Sequence, residues 1–79
     1  MDIKILGSGC ANCKKLYQMI QEVVEEKSID GLIEKVEDFK DIMQYGVIRT
    51  PALVINGKVK VFGRVPTKNE IMQYIQEEL

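Results

Sequence analysis

The spacing of apolar residues along this chain switches repeatedly, and each switch marks an element. Ile3, Ile5 and Leu6 form a short apolar run closed by Gly7-Ser8-Gly9, which predicts a strand followed by a tight loop. The step then lengthens. Cys13, Leu16, Tyr17, Ile20, Val23, Val24 and Lys27 recur at three- and four-residue intervals, the stripe of an amphipathic helix that buries one side. Ser28 to Gly31 interrupts it, and Leu32 to Glu37 mixes apolar with charged residues in a short second strand. Asp38 can cap a brief helix carrying Phe39, Ile42 and Met43 on one face, ended by Gly46. Pro51 to Ile55 and Lys58 to Phe62 flank Asn56-Gly57, the strongest two-residue signal for a type I′ turn between antiparallel strands. Thr67-Lys68-Asn69-Glu70 has the spacing of a capping box, with Ile71, Ile75 and Leu79 one helical turn apart after it.

The order β-α-β-α-β-β-α describes an α/β fold. Strands two and four carry Glu34, Lys35 and Glu37, and Lys58 and Lys60, charges that suit sheet edges because they block unwanted pairing. The first and third strands are apolar and belong in the middle. With the hairpin joining three to four and a right-handed crossover pairing one with two in parallel, the simplest mixed four-stranded sheet has the order 2-1-3-4, flanked by three helices. Lys4 falls in a central strand and must reach along it to the sheet's end. Phe39, Phe62 and the methionines read as core filler, and Tyr17 as the flank of the first helix.

Composition narrows the chemistry. At 79 residues the chain has room for one domain, residues 1–79. With 46% hydrophobic and 29% charged residues and a formal charge of -1, it is neither disordered nor fibrous. Its longest apolar runs, such as Ala52 to Ile55, are far below the ~18 residues of a bilayer crossing, so no membrane span is expected. The opening Met1-Asp2-Ile3-Lys4 lacks a signal peptide's basic start and apolar centre, which points to a cytoplasmic protein, and a monomer is expected. There is no histidine, which removes Ser-His and Cys-His nucleophile pairs, Cys2His2 zinc sites and a histidine general base.

Both cysteines lie in Cys10-Ala11-Asn12-Cys13. A bridge across so small a loop restrains the unfolded chain little, so this pair serves thiol chemistry or metal. Cys10 falls at the junction of loop and helix, with Cys13 one turn inside, and β-carbons three residues apart on a helix lie ~5–6 Å from each other. Backbone N–H groups and the partial positive charge of the helix start favour thiolate at the outer cysteine. Cys10 is therefore the expected attacker of a partner's disulfide, and Cys13 the thiol that resolves the mixed disulfide. The exchange requires neither cofactor nor resident metal. Two other classes fit the same dithiol: a carrier of copper(I) or zinc, since soft thiolates suit such ions, and a redox sensor that oxidises without turning over a partner. Small β-α-β-β-α-β copper chaperones also place C-x-x-C between a first strand and helix, but here a hairpin and capped helix leave no place for a last strand.

Gly7-Ser8-Gly9-Cys10-Ala11-Asn12-Cys13 after the first strand, Thr50-Pro51 before the third, the Asn56-Gly57 hairpin and Gly63 after the fourth resemble the small glutaredoxin-like thioredoxin proteins of archaea and bacteria, also called redox-active disulfide proteins. The resemblance covers nearly the whole chain. It implies a thioredoxin fold, a cis proline at Pro51 facing the dithiol, and a peptide-positioning role for Thr50, Pro51 and Gly63. It also implies protein disulfides as substrates and a thioredoxin-reductase-like enzyme that recycles the dithiol. The chain departs from thioredoxins in having no Trp before Cys10 and no Gly-Pro between the cysteines. Lys4 stands where thioredoxins bury an acid, which puts the proton handling of Cys13 in question. The glutathione-holding Gly-Gly-x-Asp of glutaredoxins is matched by Gly63-Arg64-Val65-Pro66-Thr67, without the second glycine or the acid, so glutathione dependence is not implied.

Charge is divided along the chain. Residues 46–68 hold Arg49, Lys58, Lys60, Arg64 and Lys68 and no acid, while residues 22–45 hold eight acids against three lysines. Arg49 and Arg64, with Lys14 and Lys15, are expected to form a modestly basic rim near the dithiol that speeds encounter with acidic partner surfaces. No aromatic–basic stacking pattern for nucleic acid is present.

Overall fold

In a computed structural model describing residues 1–79, the elements are β1 (Asp2–Leu6), α1 (Ala11–Glu26), β2 (Leu32–Val36), α2 (Phe39–Gln44), β3 (Ala52–Ile55), β4 (Lys58–Phe62) and α3 (Lys68–Glu77). The sheet runs β2-β1-β3-β4, with β1 parallel to β2 and antiparallel to β3. The two apolar strands are central and the two charged ones form the edges, as their composition demands. Asn56 and Gly57 take φ of 51° and 80°, the positive pair that a type I′ turn needs. The Asn56 side chain also accepts the Asp2 N–H at 2.9 Å, tying the hairpin to the start of β1.

Alternation along the strands divides the core between two faces. Ile3 and Ile5, Leu53 and Ile55, and Val61 meet Leu16, Ile20 and Val23 of α1 and Ile71 and Ile75 of α3 in one cluster. The opposite face places Leu6, Ala52 and Val54 against Ile42 of α2 and Val47. Burying each such side chain is worth about 1.5–3 kcal/mol relative to leaving it exposed. A bulge in the hairpin adjusts the second face: Leu53 pairs with Val61 but Val54 with Val59, leaving Lys60 as the extra residue. Lys60 reaches Glu77 at 3.0 Å and Glu78 at 2.7 Å, next to the end of α3.

The helix ends follow from local chemistry. After α1, the Ser28 and Ile29 N–H groups bond back to the Glu25 and Val24 carbonyls, with Ser28 at φ 51°, a Schellman closure using serine where glycine is usual. Helix α3 starts with the full capping box, Thr67 and Glu70 each accepting the other's backbone N–H. In α2 the Asp38 carboxylate accepts the Lys40 N–H.

Burial corrects one sequence expectation. Phe39, Met43 and Phe62 are not core: they are 71%, 54% and 54% exposed, and α2 buries Ile42 alone. Phe39, Ile42 and Met43 share a side of α2, but a helix of six residues covers so little of the sheet that only its central Ile42 is buried, and Phe39 and Met43 on either side of it reach past the covered area into solvent. Met1, Met19 and Met72 pack at the margin of the larger cluster. Tyr17 sits on the flank of α1, with the Lys35 ammonium 4.5 Å from its ring centre.

Candidate active site

The loop after β1 controls where the two sulfurs sit. Gly7 N–H bonds the Val36 carbonyl at 2.9 Å, extending the β1–β2 ladder by one rung before the chain turns at Gly9, whose φ of 81° favours glycine. Cys10 then occupies the N-cap of α1 in extended conformation. Its Sγ accepts the Cys13 N–H at 3.1 Å, the bond a capping oxygen usually takes. No acidic side chain stands in the first turn to offset the partial positive charge of the helix start.

Cys10 and Cys13 are joined as a disulfide, with their Cα atoms 5.0 Å apart. Their surroundings differ sharply. Cys10 is exposed at the loop, whereas Cys13 is 5% exposed and lies on the buried stripe of α1 with Leu16 and Ile20. A reagent or partner can reach only the first sulfur.

Gly7 explains how the rest of the site closes on the dithiol. A Cβ added there would overlap the Cys13 sulfur and lie 3.6 Å from the Thr50 Cβ, so glycine lets Cys13 and Thr50 pack against the same backbone. The Thr50–Pro51 peptide bond is cis. Pro51 is buried and Thr50 exposed. Thr50 lies outside the strand ladders, and its backbone groups enter none of the loop hydrogen bonds. Gly63 N–H bonds the Pro51 carbonyl at 2.9 Å, and a Cβ on Gly63 would lie 3.3 Å from the Arg49 Cβ. The five residues Cys10, Cys13, Thr50, Pro51 and Gly63, which come from the loop before α1, from α1 itself, and from either side of the β3–β4 hairpin, therefore gather at one end of the sheet.

The cations of the basic segment do not combine into a simple basic rim at this end. Arg64 is bound by Glu70 through both guanidinium nitrogens, at 3.0 and 2.6 Å, and Lys58, Lys60 and Lys68 are paired with Glu78, Glu77 and Glu78, and Glu26. Those acids answer the basic segment, and Arg49 is its one cation without an ion pair. Nearer the dithiol, Lys14 shares a cavity wall with Lys35 and Glu37, so the rim carries both signs. Lys4 is no part of it. Its ammonium is 3.4 Å from Asp2 Oδ2, and that hydrogen bond, with a further one to Tyr45, holds its pKa above the ordinary lysine value. The sequence pattern missed Glu37 and Lys35, which read as edge charges. The signal was the two-residue strand period, which puts both on the side of β2 that faces Ile5 and α1.

Residues 1–76 match the profile of a family described as thioredoxin domain. The chain is 39% identical over 75 residues to a thioredoxin of Methanothermobacter thermautotrophicus, spanning 95% of this chain and 97% of that one. It is 32% identical over 77 residues to a thioredoxin of Methanocaldococcus jannaschii, spanning 98% and 88%. A probable thioredoxin of Archaeoglobus fulgidus is 30% identical over 71 residues, spanning 86% and 77%. Since the likeness runs from the sulfur-bearing loop through the hairpin into the last helix, the chain belongs to the thioredoxin domain family and is a dithiol–disulfide oxidoreductase.

Proposed function

We propose that this chain reduces protein disulfides in two exchange steps, with Cys10 attacking and Cys13 resolving. The observation that carries the assignment is the asymmetry of the pair: one sulfur caps a helix in the open, and the other is sealed one turn behind it. In the reduced form the Cys10 thiolate forms a bond to one sulfur of the partner, whose other sulfur leaves with the electron pair. Cys13 then bonds to Cys10, the Cys10–partner bond breaks, and the second partner sulfur leaves as a thiolate. The partner gains two electrons, and the chain holds the Cys10–Cys13 disulfide.

Thr50, Pro51 and Gly63 position the partner's backbone beside Cys10. Thr50 offers an exposed backbone without internal partners at the end of the sheet where both sulfurs stand, which supports strand-like pairing with an extended segment. Recycling falls to a thioredoxin-reductase-like enzyme, and the setting is the reducing interior of the cell, where a lone C-x-x-C is kept as a working dithiol. No helix is long and apolar enough to cross a membrane.

The test is turnover of a disulfide-bonded protein by wild type and Cys10→Ser under a chemical reductant, and, for Cys13→Ser, reaction of the pre-reduced variant with the same substrate after the reductant is removed. Wild type is expected to turn over, Cys10→Ser to be inert, and Cys13→Ser to accumulate a covalent adduct cleaved by reductant. Tight copper(I) binding by both thiolates with no turnover would replace this reading with metal carriage. Oxidation of the pair without any trapped partner would leave a sensor.

A further inference from the structure

Resolution of the mixed disulfide poses a problem that the two cysteines do not solve. The Cys13 proton must leave before that sulfur attacks, yet Cys13 is 5% exposed. One cavity reaches it, of about 90 Å³, walled by Ile5, Gly7, Gly9, Lys14, Lys35 and Glu37. A water molecule occupies ~30 Å³ in the liquid, so the space admits water, and three polar side chains are there to hold it. Of those three, the ammonium groups of Lys14 and Lys35 are donors, and Glu37 alone is an acceptor.

The fold places Glu37 there for definite reasons. Ile33 and Lys35 pair with Ile3 and Ile5, so odd-numbered residues of β2 point to the α1 side of the sheet, and Glu37 continues that phase just past the strand. The bond from Gly7 N–H to the Val36 carbonyl fixes the end of β2 against the cysteine loop. Glu37 Oε2 comes to 3.6 Å from where a Gly9 Cβ would be, so the carboxylate lies over the glycine that leads into Cys10. Lys4 is excluded from the task by position: it borders a separate groove with Glu34, Asp41 and Tyr45.

Building on the two-step exchange proposed above, we propose that Glu37 takes the proton from Cys13 through water in this cavity, with Lys14 and Lys35 balancing the negative charge that passes between sulfur and carboxylate. The proton moves from Cys13 Sγ to the water and from the water to Glu37. The Cys13 thiolate forms the bond to Cys10 Sγ, the Cys10–partner bond breaks, and the partner's sulfur leaves with the electron pair. Glu37 then returns its proton to solvent through the open side of the cavity. Sharing the cavity wall with the carboxylate are Lys14 from α1, Lys35 from β2, whose ammonium also lies over the Tyr17 ring of α1, and the uncharged Gly7 and Gly9 of the loop; on its other side Glu37 borders a groove with Ser8, Phe39, Ile48 and Thr50, which adds no charge.

The experiment is a single turnover of the reduced protein with an aromatic disulfide whose thiolate is coloured. The first equivalent released reports attack by Cys10 and the second reports resolution by Cys13. In Glu37→Gln the first phase should match wild type. The second should slow about tenfold near neutrality, less than the ~10² of a strictly required base because water can substitute, and the gap should close as pH rises and hydroxide takes the proton. Glu37→Asp, which keeps a carboxylate, should recover part of the loss. Equal second phases in wild type and Glu37→Gln at every pH would overturn the proposal, as would a deficit that stays constant with pH, which is the mark of altered packing. If wild type itself released one equivalent and stopped, the failure would lie in the exchange mechanism and not in the role of Glu37. Cys13→Ser provides the one-equivalent reference.

Discussion

The two faces of the sheet are built to different depths. On one, α1 and α3 cover three strands and close a cluster of ten buried residues; on the other, α2 and its following loop close a cluster of five. The shallow side leaves Ile48 86% exposed and Phe39 71% exposed beside a groove of about 260 Å³ that also takes in Ser8 and Thr50. The dithiol is carried by the helix of the deep face, whose stripe of Cys13, Leu16, Ile20 and Val23 locks it to β1 and β3. A sulfur that must meet its neighbour at bonding distance needs such an anchor, whereas a surface that meets varied partners does not. On the proposed function, the deep face positions the chemistry and the shallow face, where Thr50 lies, is left for contact with the partner.

Three measurements can break or sharpen this contrast. The largest effect is expected from Leu53→Ala, which opens a cavity among α1, α3 and β1; Leu→Ala in a sealed core costs about 2–5 kcal/mol, and this site should fall in the upper half. Denaturant unfolding at constant m gives the value. Ile42→Ala should cost about 2 kcal/mol, the low end of the same range, because a short helix beside an open groove can settle into the space. Equal losses at the two sites would show that the faces differ in area but not in energetic weight.

The smallest effect concerns the start of α3. Hydrogen bonds from Arg64 and then from the Thr67 backbone lower the Glu70 pKa from 4.5 to about 2. With the folded value below the unfolded one, the charged carboxylate stabilises the protein fully above pH 4.5, and the contribution is lost as pH falls from there through about 2. Arg64 and Glu70 side chains are 53% and 33% exposed, so solvent screening keeps the effect modest. Amide-exchange protection in the first turn of α3 should fall over that window while protection in α2 changes less. Glu70→Gln should remove this local pH dependence.

Much of the site was legible because its signals were contiguous. Cys10 and Cys13 share one helical turn, and the loop glycines before them mark a strand-to-helix junction that needs no knowledge of distant contacts. Thr50 and Pro51 were legible through resemblance. The packing of Thr50 against Gly7, on the same backbone that Cys13 meets, belongs to the folded chain. Glu37 and Lys35 were hidden because a charge on an edge strand has two faces to choose from, and its partner across the cavity comes from α1. The opposite charges of the two chain segments were visible, but the ion pairs of Lys60 and Lys68 with Glu78 and Glu26 join segments far apart in sequence. Those pairs decide how much of that charge a partner meets.

Element order, the type I′ turn, the Thr67–Glu70 cap and the position of Cys10 at a helix start follow from interactions spanning no more than a few residues, so the amino-acid string determines them directly. Which apolar side chains are buried, that Cys13 is sealed while Cys10 is open, and that Glu37 shares a cavity with a sulfur two elements away were decided only by packing. The physical reason is that exclusion of water is a property of several elements meeting at once, and no local pattern records how deep the cover over a given face will be.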